Sequence, residues 1–219
     1  MPYRRTRPLL TTPENPQLNW GDSINNGLVA YYPLNEPGGL KARCAVNPAQ
    51  NLTLIGYTSR LNGPGGGHGR ALRFTGVGQY AQGTLVKAIT GGPATISAWV
   101  TLDALTVSSP YIAELGTGGT QNTGYSIFFS GSNPGFTLQA FSCVGTFSVA
   151  VGQRVFVVGS LDSAMLQSIY ANGILLNTVQ RSSFPNVSSK VTIGGFNSPA
   201  INYNVLGSID NVRFYNRAL

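Results

Sequence analysis

Ser168-Ile169-Tyr170-Ala171-Asn172-Gly173-Ile174-Leu175-Leu176 sets an Asn-Gly pair between two apolar runs. Both central residues of a type I′ turn take positive φ, which Asn and Gly tolerate best, so this stretch predicts a tight β-hairpin. Upstream, Ala94-Thr95-Ile96-Ser97-Ala98-Trp99-Val100 alternates. In a strand Ala94, Ile96, Ala98 and Val100 share one face, and Thr95, Ser97 and Trp99 share the other. The small apolar side is predicted to enter a core, leaving Trp99 on the opposite surface or under a loop. From Gly27 onward the same texture repeats, with short apolar or alternating runs bounded by turn residues. Strands are predicted over Leu28 to Leu34, Leu52 to Ile55, Ala71 to Phe74, Tyr80 to Gln82, Ala94 to Leu102, Tyr111 to Leu115 and Tyr125 to Phe129. Six more are predicted over Phe136 to Phe141, Arg154 to Leu161, Gln167 to Ala171, Ile174 to Asn177, Lys190 to Ile193 and Gly207 to Tyr215. Regularly spaced short strands with turn signals are the pattern of a sandwich or barrel, and thirteen suffice for two packed sheets.

The bulk numbers agree with that reading. At 219 residues the chain fits one all-β domain plus a short tail. It is 42% hydrophobic and only 10% charged, with 28 Gly and 13 Pro, so apolar material is ample while the surface rests on neutral polar side chains. Gly supplies positive φ and Pro presets φ for turns, and long helices are hard to place. The formal charge of +7 raises the question of nucleic acid or an anionic surface. The basic residues are scattered, however, and the excess arises mainly because acids are few, so neither a nucleic-acid nor a membrane partner is expected. Only Arg4, Arg5 and Arg7 cluster. They lie in a Pro-containing segment, residues 1–26, which has too few large apolar side chains to fold alone and reads as an extended arm. The Arg cluster is either a solvated terminus or a docking arm for an acidic surface. Trp20 is the exception in the arm, an aromatic expected to pack on the domain or on a partner.

Cys44 and Cys143 are too few for a disulfide framework and lack metal-ligand spacing, so reduced or buried thiols are expected. No apolar run is long enough for a membrane helix. The opening residues lack a secretory apolar core, so export by a cleaved signal is not expected.

Five pieces now line up: Gly27-Leu28-Val29-Ala30-Tyr31-Tyr32-Pro33-Leu34-Asn35-Glu36, Gly69-Arg70-Ala71-Leu72-Arg73-Phe74-Thr75-Gly76, Ala94 to Val100, Ile169-Tyr170-Ala171-Asn172-Gly173, and Gly207-Ser208-Ile209-Asp210-Asn211-Val212-Arg213-Phe214-Tyr215-Asn216-Arg217-Ala218-Leu219. In that order and spacing, residues 27–219 resemble the concanavalin A-like lectin/glucanase superfamily, specifically its laminin-G-like branch. The resemblance implies a jelly-roll β-sandwich of two antiparallel sheets, with contacts made by rim loops or by the concave sheet. It also implies Ca²⁺ after the second piece, where family members carry an acidic pair. Here that segment is Gly76-Val77-Gly78-Gln79-Tyr80, without a carboxylate. Hard cations need several oxygen ligands, so no metal and no other cofactor is expected. Asp210 matches the family's C-terminal acid, and its expected role is hydrogen bonding to backbone amides of the last strand.

Catalysis is not expected. Retaining glycoside hydrolysis needs two carboxyls about 5 Å apart. The seven acids, Glu14, Asp22, Glu36, Asp103, Glu114, Asp162 and Asp210, are never within five residues of one another. The single His68 sits in a Gly-rich turn, a poor mount for a base that a third group must orient. Two non-catalytic classes remain. One is a structural or adhesive particle component, foremost a bacteriophage virion protein, capsid decoration or tail-associated. It would dock through its arm onto other virion subunits or copies of itself, and a homo-oligomer is expected. The other is a carbohydrate-binding lectin module, in which Tyr80, Tyr111, Tyr125 and Tyr203 are candidates to stack on sugars, including cell-surface glycans.

Overall fold

The computed structural model describes residues 18–57, 61–63, 70–76, 78–89, 91–105, 109–116, 124–138, 141–186, 189–195 and 203–219. Among these, sixteen strands run in chain order. They are β1 (Leu28–Tyr32), β2 (Lys41–Ala42), β3 (Leu52–Ile55), β4 (Asn62–Gly63), β5 (Ala71–Thr75), β6 (Tyr80–Thr84), β7 (Ala94–Leu102) and β8 (Tyr111–Gly116). Then follow β9 (Gly124–Ser130), β10 (Asn133–Thr137), β11 (Ser142–Val144), β12 (Arg154–Leu161), β13 (Leu166–Ala171), β14 (Ile174–Gln180), β15 (Lys190–Ile193) and β16 (Leu206–Tyr215). The only helical pieces among the described residues are two single 3₁₀ turns, Ser23–Asn25 and Pro48–Gln50, capped by the side chains of Asp22 and Asn47.

Two antiparallel sheets stack into the predicted sandwich. The first has the order β14-β13-β12-β7-β16-β5-β4, with β1 also paired to β16; the second runs β11-β10-β9-β8-β15-β6-β3-β2. Consecutive strands often lie in different sheets, so half of the strand pairings join strands that are not neighbours in the sequence. The β13–β14 hairpin forms as predicted, with Asn172 at φ 50° and Gly173 at φ 81°. In β7, Ala94, Ile96, Ala98 and Val100 enter the core. Trp99 lies on the outer surface of the first sheet, its ring 5.1 Å from that of Phe156 and covered by the Arg154 guanidinium 4.5 Å away.

The strand predicted over Phe136 to Phe141 is corrected to a hairpin of β10 and β11. Leu138 N–H donates to Phe141 O (3.1 Å) at the turn end of the ladder that pairs Gly135↔Val144, Phe136↔Cys143 and Thr137↔Ser142. Between the sheets pack Tyr32, Phe74, Phe129, Phe136 and Phe214, all fully buried. Cys44 and Cys143 are buried and form no disulfide.

Leu18 packs against a small separate cluster of Leu28, Tyr31 and Tyr215. Just after it, Arg217 fastens the approach to β1, donating from Nη2 to Ser23 O (3.0 Å) and from Nε to Asn26 O (2.6 Å). Trp20 is 59% exposed. Arg4, Arg5, Arg7 and His68 lie outside the described residues.

Candidate functional site

The outer face of the second sheet carries one continuous polar row. In register across the strands stand Lys41, Thr53, Gln82, Thr192, Glu114, Ser126, Thr137 and Ser142. Their immediate sequence neighbours explain how the row arises. Thr53 lies between Leu52 and Leu54, Glu114 between Ala113 and Leu115, Ser126 between Tyr125 and Ile127, and Thr192 between Val191 and Ile193. Those apolar neighbours point into the core, so period-two alternation sends each polar residue to the other side.

Towards the ends of the row Lys41, Thr53 and Ser142 are exposed, whereas Thr192, Glu114, Ser126 and Thr137 at its centre are buried. Gln82 Nε2 donates to Thr192 Oγ1 (3.3 Å). Among the described residues the hydroxyls of Ser126 and Thr137 are buried without a hydrogen-bond partner. An unmet buried hydroxyl costs about 1–3 kcal/mol, so this pair is a polar feature that the packing of the sheet alone does not explain.

Beside this row stand aromatic rings. Tyr111 pairs with Phe128 across β8 and β9, their rings stacked at 5.5 Å, and Phe128 rests over Gly135 of β10. A Cβ at Gly135 would lie 2.6 Å from the Phe128 ring, so this close approach needs glycine. The Tyr203 ring lies 5.4 Å from that of Tyr111, and the Tyr111 N–H donates to Tyr203 O (3.0 Å). Asn204 ties this segment to the start of β6 by donating from Nδ2 to Gln79 O (3.1 Å). Tyr80, two residues before Gln82 in the same strand, therefore faces the same way. Burial, with the Glu114 carboxylate and Tyr203 nearby, raises the Tyr111 phenol to about 12.

Tyr80, Tyr111 and Tyr203, all half-buried, are thus gathered on one face of one sheet. Tyr125 is corrected. It alternates into the core, stacks at 6.3 Å on Phe136, and its hydroxyl donates to Gly92 O (2.6 Å), so it has no surface to offer a sugar. The polar row is the part that reading the strands singly missed. The signal was a lone polar residue inside an otherwise apolar run, repeated in several strands.

The carboxylates are spread over both sheets and several turns. Asp210 is buried on β16, where Arg154 Nη2 lies 3.0 Å from each of its oxygens, an ion pair that the reading of Asp210 as a partner of backbone amides did not foresee. Asp103 pairs with Arg73 at 2.6 Å, and Asp162 accepts from Leu166 N–H (2.8 Å). Glu36 accepts from Arg43 N–H (2.5 Å). Among the described residues no three His, Cys, Asp or Glu side chains come together as a metal set, and no helix is long and apolar enough to cross a membrane.

Comparison with known proteins follows the same lines. Residues 75–219 match the family described as the concanavalin A-like lectin/glucanases superfamily, and the chain belongs to it. Among curated protein sequences none matches. Similar solved structures include a Trypanosoma rangeli sialidase in complex with sialic acid, at TM-score 0.63 and 19% identity over 89% of this chain and 31% of that one. The receptor binding domain of botulinum neurotoxin C/D mosaic serotype is similar at TM-score 0.64 and 15% identity, over 90% of this chain and 49% of that one. The chain therefore spans about a third of the sialidase and half of the toxin chain. At these identities the likeness shows the lectin-like β-sandwich fold.

Proposed function

We propose that this lectin-like domain is a non-catalytic glycan-recognition module that binds sugars on the outer face of its second sheet. The observation that carries this is the register of the polar row against the Tyr80, Tyr111 and Tyr203 rings. Sugars present hydroxyls at their edges and apolar C–H patches on their faces, and a site for them combines convergent hydrogen-bonding groups with flat aromatic surface. Glu114 is fully buried beneath this face, so the surface offered to a sugar is that of the half-buried Tyr80, Tyr111 and Tyr203 rings and of Gln82. No second carboxylate stands in the same row to act with Glu114, which supports recognition rather than hydrolysis. The sialic acid complex and the receptor-binding role named for the two similar structures support glycan recognition as the class. The test is a glycan array on the full chain, repeated with Tyr111→Ala and Tyr203→Ala. Binding that each variant weakens two- to tenfold is expected, the equivalent of about 0.5–1.5 kcal/mol per aromatic contact. Silence across neutral and acidic glycans overturns the reading.

A second reading concerns presentation, and exposed Trp20 beside docked Leu18 favours it. Residues 1–17, with Arg4, Arg5 and Arg7, anchor the domain to other subunits or to copies of itself, as in a bacteriophage virion. Because Ser23 and Asn26 are bonded to Arg217, the informative deletion is residues 1–17 rather than the whole arm. It is expected to abolish self-association measured by light scattering, or incorporation into a particle. Unchanged assembly removes this reading.

A further inference from the structure

Away from the tyrosines, the turn between β10 and β11 and the segment after β14 enclose a cleft of about 270 Å³, lined by Leu138, Phe141, Gln180, Arg181, Ser182 and Ser183. Arg181 is held in place there. Its backbone N–H donates to Met165 O (2.9 Å), its Nε donates to Gln167 Oε1, and its guanidinium lies 5.5 Å from the centre of the Phe141 ring. Gln167 is itself fixed, fully buried, with Nε2 donating to Phe136 O (2.6 Å) and Phe141 O (3.3 Å).

Despite this support, Arg181 Nη2 is buried and has no hydrogen-bond partner among the described residues. A guanidinium cannot shed its proton to escape that situation, so a charged donor is left unmet. None of the residues lining the cleft is acidic. The nearby Cys143 does not supply an anion, because burial pushes its thiol above the ordinary range. What is missing is an acceptor with negative charge, and the planar guanidinium fork matches a carboxylate best. Two serine hydroxyls at the cleft wall add donors and acceptors suited to a ring carrying hydroxyls. The volume equals that of about nine liquid waters, enough for one monosaccharide and too small for a chain.

We propose that this cleft is a subsite for an acidic monosaccharide, with Arg181 gripping the carboxylate and Ser182 and Ser183 meeting the ring hydroxyls. It shares no lining residue with the tyrosine face and does not depend on it. Isothermal titration of the full chain with D-glucuronate, D-glucose and inorganic phosphate tests it. Saturable glucuronate binding is expected, at least tenfold tighter than glucose or phosphate. Arg181→Gln is expected to abolish it, Arg181→Lys to weaken it at least tenfold because the charge stays and the fork goes, and Tyr111→Ala to leave it unchanged. Thermal unfolding checks that each variant is folded, and should Arg181→Gln fail to fold, Arg181→Lys decides. Absence of saturable glucuronate binding, equal binding of phosphate, or glucuronate binding that survives both Arg181 variants or is lost in Tyr111→Ala overturns the assignment.

Discussion

Tyr111 shows how far one residue's chemistry depends on its neighbours. Its phenol ordinarily ionises near 10, and here burial, with Glu114 beside it, holds the neutral form up to about 12. A folded value above the unfolded one means that stability is fully present below pH 10 and is lost as pH rises through 12. Alkaline unfolding followed by circular dichroism is therefore expected to begin above pH 10, and Tyr111→Phe to blunt that loss. At Asp210 the sequence identified the residue but not its partner. Arg154 is 56 positions away in the chain, and nothing local announces that β7 brings Trp99 beneath that guanidinium while β16 brings the carboxylate to it. Asp210→Asn is expected to cost about 2 kcal/mol in chemical denaturation. That is less than the 3–5 kcal/mol of a fully buried pair, because the Arg154 side chain stays 25% exposed.

Elements were legible wherever the alternation was clean or the turn chemistry specific. Asn172-Gly173 fixed a hairpin, and Ala94 to Val100 showed which side faces the core. Phe136 to Phe141 misled because apolar Phe136, Leu138 and Phe141 stand on both sides of the reversal, and no Asn-Gly or Pro-Gly marks it after Leu138. Tyr125 misled for a related reason. In Tyr125-Ser126-Ile127-Phe128-Phe129 the alternating face is set by Ser126, and the tyrosine shares its side with Ile127 and Phe129. Strand β10 offers the matching test. Gly135→Val drives a side chain into the Phe128 ring and so tilts the ring that supports Tyr111. Glycan binding is expected to fall more than tenfold in that variant, read by array or titration, while the β-sheet circular dichroism signal persists.

At the scale of the whole molecule, stability resides in the ring-filled layer between the sheets. Phe136 lies at its middle, fully buried and stacked on Tyr125, with Gly159 of the first sheet approaching it so closely that a Cβ would lie 2.3 Å from the ring. Phe136→Ala is expected to cost about 3–5 kcal/mol in denaturant unfolding, since the cavity it leaves cannot close between two sheets already in register. The candidate site belongs to this scale too. Single strands displayed their polar residues, but the row exists only because β3, β6, β15, β8, β9 and β10 lie side by side in an order the sequence does not follow. Long-range pairing of that kind also sets the timetable of folding. Strand β16 is the last of the described strands to emerge during synthesis, yet it is wedged between β5 and β7 and also pairs with β1. A nascent chain must hold that slot open until β16 arrives. Cutting the gene before Leu206 should therefore yield an aggregating polypeptide, and a separately expressed peptide of residues 206–219 should restore it to solution. The domain would then act as a split reporter whose two halves signal only when they meet.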